Sequence, residues 1–243
     1  MGVDALVREV TGGRLSVALC GDLGLPEVAS LRARLLKSLA EQPDALLIDL
    51  SNLTVREPLA LAVFSTLSRQ AARWPGIPVL MCAPRPDARR TLTLAAYKRL
   101  PVFPSVDAAL AALDDDRQVQ PDLSDELLPL RGAARQARNV ATDACLRWGL
   151  DRLVAPASLI ASELVSNVVD HASTMMTLRL TLRRHYLHIS VRDGSSAEPA
   201  LRSGASPDAS SGRGLMLVDA SAHAWGWLPC EGGKVVWASL STR

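Results

Sequence analysis

The chain has 243 residues, of which 48% are hydrophobic and 21% are charged, and its formal net charge is +2. This length suggests one or two domains at about 150 residues each, while the near-neutral charge and an aromatic content of 4% argue against nucleic-acid binding. Four widely spaced cysteines form no metal or redox motif and no apolar run is expected to reach the roughly 18 residues of a membrane span, so we expect a reduced, cytoplasmic protein.

Strands and helices alternate in the first half of the sequence. Strands are predicted at 15–20, 45–50 and 79–82, and helices at 27–41, 58–74, 87–97 and 106–113. The run at 45–50 is continuously apolar, which is typical of a strand buried on both faces. This alternation indicates an α/β domain, in which helices pack on a sheet.

A charged and polar stretch at 114–121, ending in proline, separates two apolar regions. Such a stretch is typical of a linker. We therefore predict a first domain over 1–115, a linker over 116–121 and a second domain over 122–243.

The second half mixes helices with strands that lie next to each other in sequence. Helices are predicted at 133–148, 156–171 and 214–222, and strands at 177–182, 187–191, 225–227 and 234–240. The strands at 177–182 and 187–191 are expected to pair in an antiparallel manner. The segment 195–211, rich in Ser, Ala, Gly and Pro, is predicted to be a mobile loop.

Two polar residues interrupt the apolar pattern of the helix at 156–171. Glu163 and Asn167 are four residues apart and therefore lie on one face. Buried polar groups need partners, which a ligand carrying a hard cation would supply. Asn167 could equally be a hydrogen-bonded buried amide, and Glu163 could be a helix-face acid in a salt bridge.

Two later segments carry residues suited to a nucleotide. Asp193 ends an apolar strand before Gly194, where it could accept a hydrogen bond from an exocyclic amine or form a hairpin turn. Gly212, Arg213 and Gly214 precede a helix, where backbone amides bind phosphate, although two glycines are also a common loop-to-helix joint. Arg213 could pair with phosphate or face solvent.

The ordered set Glu163…Asn167, Asp193-Gly194 and Gly212-Arg213-Gly214 resembles the nucleotide-binding boxes of the GHKL ATPase superfamily, and within it the bacterial anti-sigma-factor serine kinases. The segments 225–227 and 233–237 are similar to the end of those kinases. The resemblance runs from about residue 123 to the C-terminus.

This resemblance implies an α/β sandwich that binds ATP and magnesium, with Asn167 as the Mg ligand and Glu163 as the catalytic base. It implies that Asp193 and Gly194 contact the base of the nucleotide, and that Gly212, Arg213 and Gly214 contact its phosphates. The chain departs from the family at Ser195, where the fuller motif has a second glycine.

The stretch 46–54, with the order of elements around it, resembles a STAS domain, the fold of anti-sigma-factor antagonists, over about 3–113. In phosphorylatable STAS domains a Ser or Thr follows this strand and accepts phosphate. Pro58 and Leu59 take the hydroxyl places here, and a leucine side chain has no oxygen. We therefore predict a STAS half that is not a phosphoacceptor.

Together the two resemblances imply a bacterial anti-sigma-factor serine/threonine kinase that acts on a separate STAS partner in a partner-switching pathway. Its own STAS half would be a docking or inhibitory module. The expected partners are a STAS-domain antagonist, a sigma factor or both, with no nucleic acid and no membrane, and a homodimer is left open. The alternative is a nucleotide-sensing adaptor that binds such partners without phosphoryl transfer.

Overall fold

A computed structural model describes residues 2–115, 120–199 and 214–243. The chain divides into two compact units, Met1–Gln118 and Val119–Arg243. Residues 116–119 of the predicted linker lie outside the described residues. So do Gly212, Arg213 and the part of the predicted loop from residue 200 onward.

The first unit is a five-stranded sheet with helices packed on it. Its strands follow the order β1-β2-β3-β4-β5, and only the β1–β2 pair is antiparallel. The strands are β1 Asp4–Val10, β2 Arg14–Leu23, β3 Leu46–Val55, β4 Val79–Cys82 and β5 Val102–Phe103. The helices are α1 Val28–Ala40, α2 Ala62–Arg73, α3 Pro86–Leu92 and α4 Val106–Asp115. The three predicted strands and four predicted helices are present, whereas β1 and β5 were not predicted.

The predicted helix at 58–74 begins as a separate short element. Pro58–Leu61 forms a 3-10 turn before α2 begins, because proline fits the first turn of a helix. Leu59 lies in this turn with 72% of its surface exposed. The predicted helix at 87–97 is likewise divided, into α3 and the short 3-10 turn Ala95–Tyr97.

The second unit is a two-layer α/β sandwich. Its strands follow the order β6-β7-β8-β10-β9, and every neighbouring pair is antiparallel. The strands are β6 Asp122–Leu127, β7 Met176–Leu182, β8 Tyr186–Asp193, β9 Ala224–Cys230 and β10 Gly233–Ser241. The helices are α5 Ala133–Arg147, α6 Val154–Asn167 and α7 Gly214–Ser221. The predicted pairing of the strands at 177–182 and 187–191 is confirmed, and β6 was not predicted.

Helix α6 is the central helix of the second unit. It contacts α5, α7 and three strands of the sheet, and its apolar side is buried in the core, including Ile160, Leu164 and Val165. We expected no segment that could span a membrane, but Asp151–Ala172, which includes α6, is long and apolar enough by length and composition alone. The core helix of a soluble domain meets the same criterion, and α6 is packed as such a helix.

The cysteines are mostly structural, as the sequence suggested. None of the four forms a disulfide; Cys82, Cys145 and Cys230 are buried, whereas Cys20 is exposed. Burial, together with the charge of Asp49, raises the pKa of Cys82 to about 12. This thiol is therefore protonated at neutral pH and unreactive.

Candidate functional site

The start of α7 lies against the polar face of α6. A Cβ atom added at Gly214 would be 2.6 Å from Oε2 of Glu163 and 3.8 Å from Oδ1 of Asn167. The absence of a side chain at Gly214 therefore lets the helix backbone approach both groups. Two segments that are about fifty residues apart in the sequence meet at one place, as the resemblance to nucleotide-binding boxes implied.

Asn167 has a buried amide group that no described residue satisfies. Its Nδ2 atom is buried and has no hydrogen-bond partner within 2–115, 120–199 and 214–243. This does not fit the ordinary alternative of a hydrogen-bonded buried Asn, because a lost hydrogen bond of this kind costs about 1–3 kcal/mol. A ligand at this place would satisfy the amide.

Glu163 is half-buried one turn earlier on α6. Within the described part of the chain, no Lys, Arg or His side chain forms an ion pair with it. Its carboxylate faces Gly214 instead. The salt-bridge alternative is therefore not supported among these residues, and the carboxylate lies with the Asn167 side chain beside Gly214.

A change of helix type follows Asn167 directly. α6 ends at Asn167, and Val168–Ala172 forms a π-helix that closes at Ser173 in a left-handed conformation. Short π-helical turns inside α-helices occur frequently at functional sites. The helix predicted at 156–171 included most of this turn, because Val168 and Val169 continue its apolar pattern.

Asp193 ends β8 and is almost fully buried, with 1% of its side chain exposed. Its Oδ1 accepts hydrogen bonds from Nζ of Lys234 at 2.9 Å and from the backbone N–H of Ser195 at 2.7 Å. The hairpin alternative is wrong, because among the described residues no strand directly follows Asp193: β8 pairs with β7 and with β10, which begins only at Gly233. The Lys234 partner was not anticipated from the sequence.

Two close contacts fix the end of β8. Gly194 donates its backbone N–H to Oγ1 of Thr174 at 3.0 Å. On the other side, a Cβ atom at Gly233 would lie 1.9 Å from the carbonyl oxygen of Asp193, so the two backbones approach more closely than any side chain would allow. Asp193 is therefore held by the backbone of its neighbours as well as by Lys234.

His188 is a buried titratable group that does not belong to this site. It lies in the middle of β8, and strand alternation places it on the sheet face opposite to Leu187 and Ile189, which pack in the core. Burial, with a smaller contribution from the charge of Arg183, lowers its pKa to about 4. The ring is neutral at neutral pH and faces away from Glu163.

The donor set suits a magnesium–nucleotide complex better than a metal held by the protein alone. Among the described residues there is no group of three or more His, Cys, Asp or Glu side chains that could hold a metal ion. Magnesium keeps several waters and phosphate oxygens and needs few protein ligands. One amide oxygen at Asn167, next to a backbone opened by Gly214, fits this requirement.

Family comparisons agree with this arrangement. A model of the histidine kinase-like ATPase domain matches residues 129–240, and a model of the STAS domain matches residues 5–109. The two matches do not overlap, and each corresponds to one compact unit. The chain is a fusion of a STAS domain and a histidine kinase-like ATPase domain.

Solved structures similar to the chain include three of anti-sigma factor antagonists. One, from Mycobacterium paratuberculosis, is 25% identical over 46% of this chain and 95% of its own, with a TM-score of 0.41. SpoIIAA in its unphosphorylated form is 14% identical over 47% of this chain and 100% of its own, with a TM-score of 0.39. The Bacillus cell fate determinant SpoIIAA in its phosphorylated form is 15% identical over 47% of this chain and 100% of its own, with a TM-score of 0.37. No curated protein was found to match the chain.

Proposed function

We propose that the chain is an ATP-binding regulator of the partner-switching kind, whose second unit is a serine/threonine kinase acting on a separate STAS-domain protein. The observation that supports this most is the contact of Gly214 with both Glu163 and Asn167. It joins a carboxylate, an amide oxygen and the N-terminus of a helix at one place. The presence of a STAS domain in the same chain as the ATPase domain supports the regulatory role.

Each residue of the site has one role in this proposal. Asn167 would hold magnesium through its amide oxygen, and magnesium, when bound, neutralises the charge of the phosphates. Asp193 would accept a hydrogen bond from the adenine amino group. The N-terminus of α7, with Gly212, Arg213 and Gly214, would contact phosphate. Glu163 would take the proton of the acceptor hydroxyl. The hydroxyl oxygen would at the same time bond to the γ-phosphorus, whose bond to the leaving ADP breaks.

The STAS unit would bind partners without accepting phosphate. Leu59 is 72% exposed at the acceptor place, and Leu25 is 50% exposed. Leu25 begins the 3-10 turn Leu25–Glu27. Glu57 connects this turn to Pro58–Leu61, because its Oε1 accepts the backbone N–H of Leu25 at 3.2 Å. This exposed apolar surface suits docking on a kinase domain, either of this chain or of a second copy.

We expect Asp193→Asn to weaken ATP binding by about ten- to hundredfold, because a hydrogen bond to a charged group contributes roughly 1.5–3 kcal/mol. Calorimetric titration of the full chain with magnesium–ATP measures the change. Ser195→Ala is the control, since Ser195 contacts Asp193 and Lys234 through its backbone only. Absence of ATP binding by the unmodified chain would contradict the proposed function.

We expect mass spectrometry to detect no phosphate between residues 3 and 113 after incubation with magnesium–ATP. The reason is that phosphoryl transfer needs a hydroxyl at the acceptor, and Leu59 has none. Leu59→Ser is the matched variant, since it restores a hydroxyl at that place. A stoichiometric phosphate on Thr54, Ser65 or Thr66 of the unmodified chain would contradict this prediction.

The nucleotide-sensing adaptor remains the second candidate, because the STAS unit carries no acceptor at Leu59. It predicts ATP binding without transfer. Incubation with labelled ATP and a serine-bearing STAS protein separates the two candidates: label on the STAS protein supports the kinase, and binding without label supports the adaptor.

A further inference from the structure

Lys234 is a buried cation at the candidate nucleotide site for which the sequence suggested no role. It is the second residue of β10 and lies directly opposite Asp193 in the strand register. Only 9% of its side chain is exposed. A lysine ammonium is strongly hydrated in water, so its burial here needs an explanation.

The hydrogen bonds of this ion pair leave one position open on each partner. The ammonium has three donors, and two are used by Oδ1 of Asp193 at 2.9 Å and the carbonyl oxygen of Ser195 at 3.2 Å. Oδ1 of Asp193 accepts from Lys234 and from the N–H of Ser195, whereas Oδ2 accepts no hydrogen bond within the described ranges. Among the described residues, one donor of the ammonium and one oxygen of the neighbouring carboxylate are thus without a partner.

A purely structural role is a weak explanation for this pair. Replacing a buried ion pair with apolar residues of similar volume is often neutral or stabilising, and β8 and β10 also pair through their backbones over the register that runs to Ser241 and Tyr186. An ion pair of this kind is instead suited to a ligand edge with an acceptor for the remaining N–H of Lys234 and a donor for Oδ2 of Asp193.

Adenine has such an edge. Its exocyclic amine donates and the adjacent ring nitrogen N1 accepts, whereas guanine presents an accepting oxygen and a donating N1–H in the same two places. We propose that Lys234 reads the base together with Asp193: the ammonium donates to N1 of adenine while the carboxylate accepts from the amine. This inference rests on the proposed function. With the 6-position of the base facing Asp193, guanine would present its oxygen to the carboxylate and its N1–H to the ammonium, so in this pose the ion pair favours ATP over GTP.

The experiment compares nucleotides that differ at one ring atom. The full chain is titrated by calorimetry with the magnesium complexes of ATP, 1-deaza-ATP and 7-deaza-ATP. 1-Deaza-ATP carries C–H in place of N1, and 7-deaza-ATP carries the same change at N7, on the other side of the amine. We expect affinity for 1-deaza-ATP to be lower than for ATP by on the order of tenfold or more, and affinity for 7-deaza-ATP to be close to that for ATP.

A variant then assigns the effect to the side chain. Lys234→Met keeps an unbranched stem but has no donor, so it should bind ATP and 1-deaza-ATP equally, both about as weakly as the unmodified chain binds 1-deaza-ATP. The discrimination between ATP and GTP should fall at the same time. Thermal unfolding of the variant is recorded, and if it does not fold, the three titrations of the unmodified chain decide alone.

The outcomes separate this inference from the function on which it rests. Equal affinity of the unmodified chain for ATP and 1-deaza-ATP, or an equal loss with 7-deaza-ATP, overturns the role of Lys234 and leaves ATP binding in place. A Lys234→Met variant that still prefers ATP over 1-deaza-ATP also overturns it. No binding of ATP at all overturns the proposed function itself.

Discussion

Glu163→Gln is expected to lower phosphoryl transfer to a STAS protein by ~100-fold or more, while the affinity for ATP changes by no more than a few fold. Glutamine keeps the size of the side chain, so the contact with Gly214 is preserved. It cannot take a proton from a hydroxyl, because an amide oxygen is a very weak base. The nucleotide is held by other residues in the proposal, so binding should not depend on this carboxylate.

The measurement pairs a transfer assay with a binding assay on the same protein. Transfer is followed with labelled ATP and a STAS protein that has a serine at the acceptor place, and binding by calorimetry. Glu9→Gln is the matched control, since Glu9 is exposed on β1 of the first unit and has no role in the proposal. If Glu163→Gln transfers phosphate at the rate of the unmodified chain, Glu163 is not the catalytic base and is only a polar residue on the face of α6.

The part of the site that lies on a single helix could be predicted from the sequence. The spacing of Glu163 and Asn167 determines that both lie on one face of α6, because helical periodicity is a local property of the chain. The pairing of β7 with β8 was also predictable, since the two strands are adjacent in sequence and joined by a short turn.

The partner of Asp193 could not be predicted in this way. Lys234 is 41 residues away, and it meets Asp193 only because β10 pairs with β8 in one particular register. Strand register depends on the whole sheet and on which face is buried. From the sequence alone, Lys234 therefore looked like an ordinary charged residue at the start of a strand.

The strands that were not predicted share a physical reason. β1, β5 and β6 are edge strands of their sheets, and most of their residues are exposed or half-buried. Edge strands often carry charges that discourage further pairing, as β6 does in the segment Asp122–Leu127. Their composition therefore resembled a linker more than a strand.

Gly233→Ala is expected to destabilise the second unit by about 1–3 kcal/mol, the cost of overpacking a well-packed region, and to weaken ATP binding. The added Cβ would lie 1.9 Å from the carbonyl oxygen of Asp193 and 2.9 Å from Cα of Gly194. Both are backbone atoms, so no change of rotamer relieves the contact. The start of β10 must move away from the end of β8, and this separates Lys234 from Asp193.

Two other glycines provide matched controls for the same substitution. Gly132→Ala places a Cβ with no atom within 4 Å and without a positive φ, so it should leave the stability unchanged or raise it by up to about 1 kcal/mol. Gly232→Ala also meets no atom within 4 Å, but φ is +74° there, so it measures backbone strain without the contact.

Urea unfolding and calorimetric ATP titration of the three variants distinguish the causes. If close packing against Asp193 is what Gly233 provides, Gly233→Ala loses both stability and ATP affinity, whereas Gly232→Ala loses some stability and keeps its affinity. A Gly233→Ala variant as stable as Gly132→Ala would mean that β10 can move without disturbing Asp193. In that case the buried ion pair, and not the glycine contact, would hold the carboxylate in the position that the proposal assigns to it.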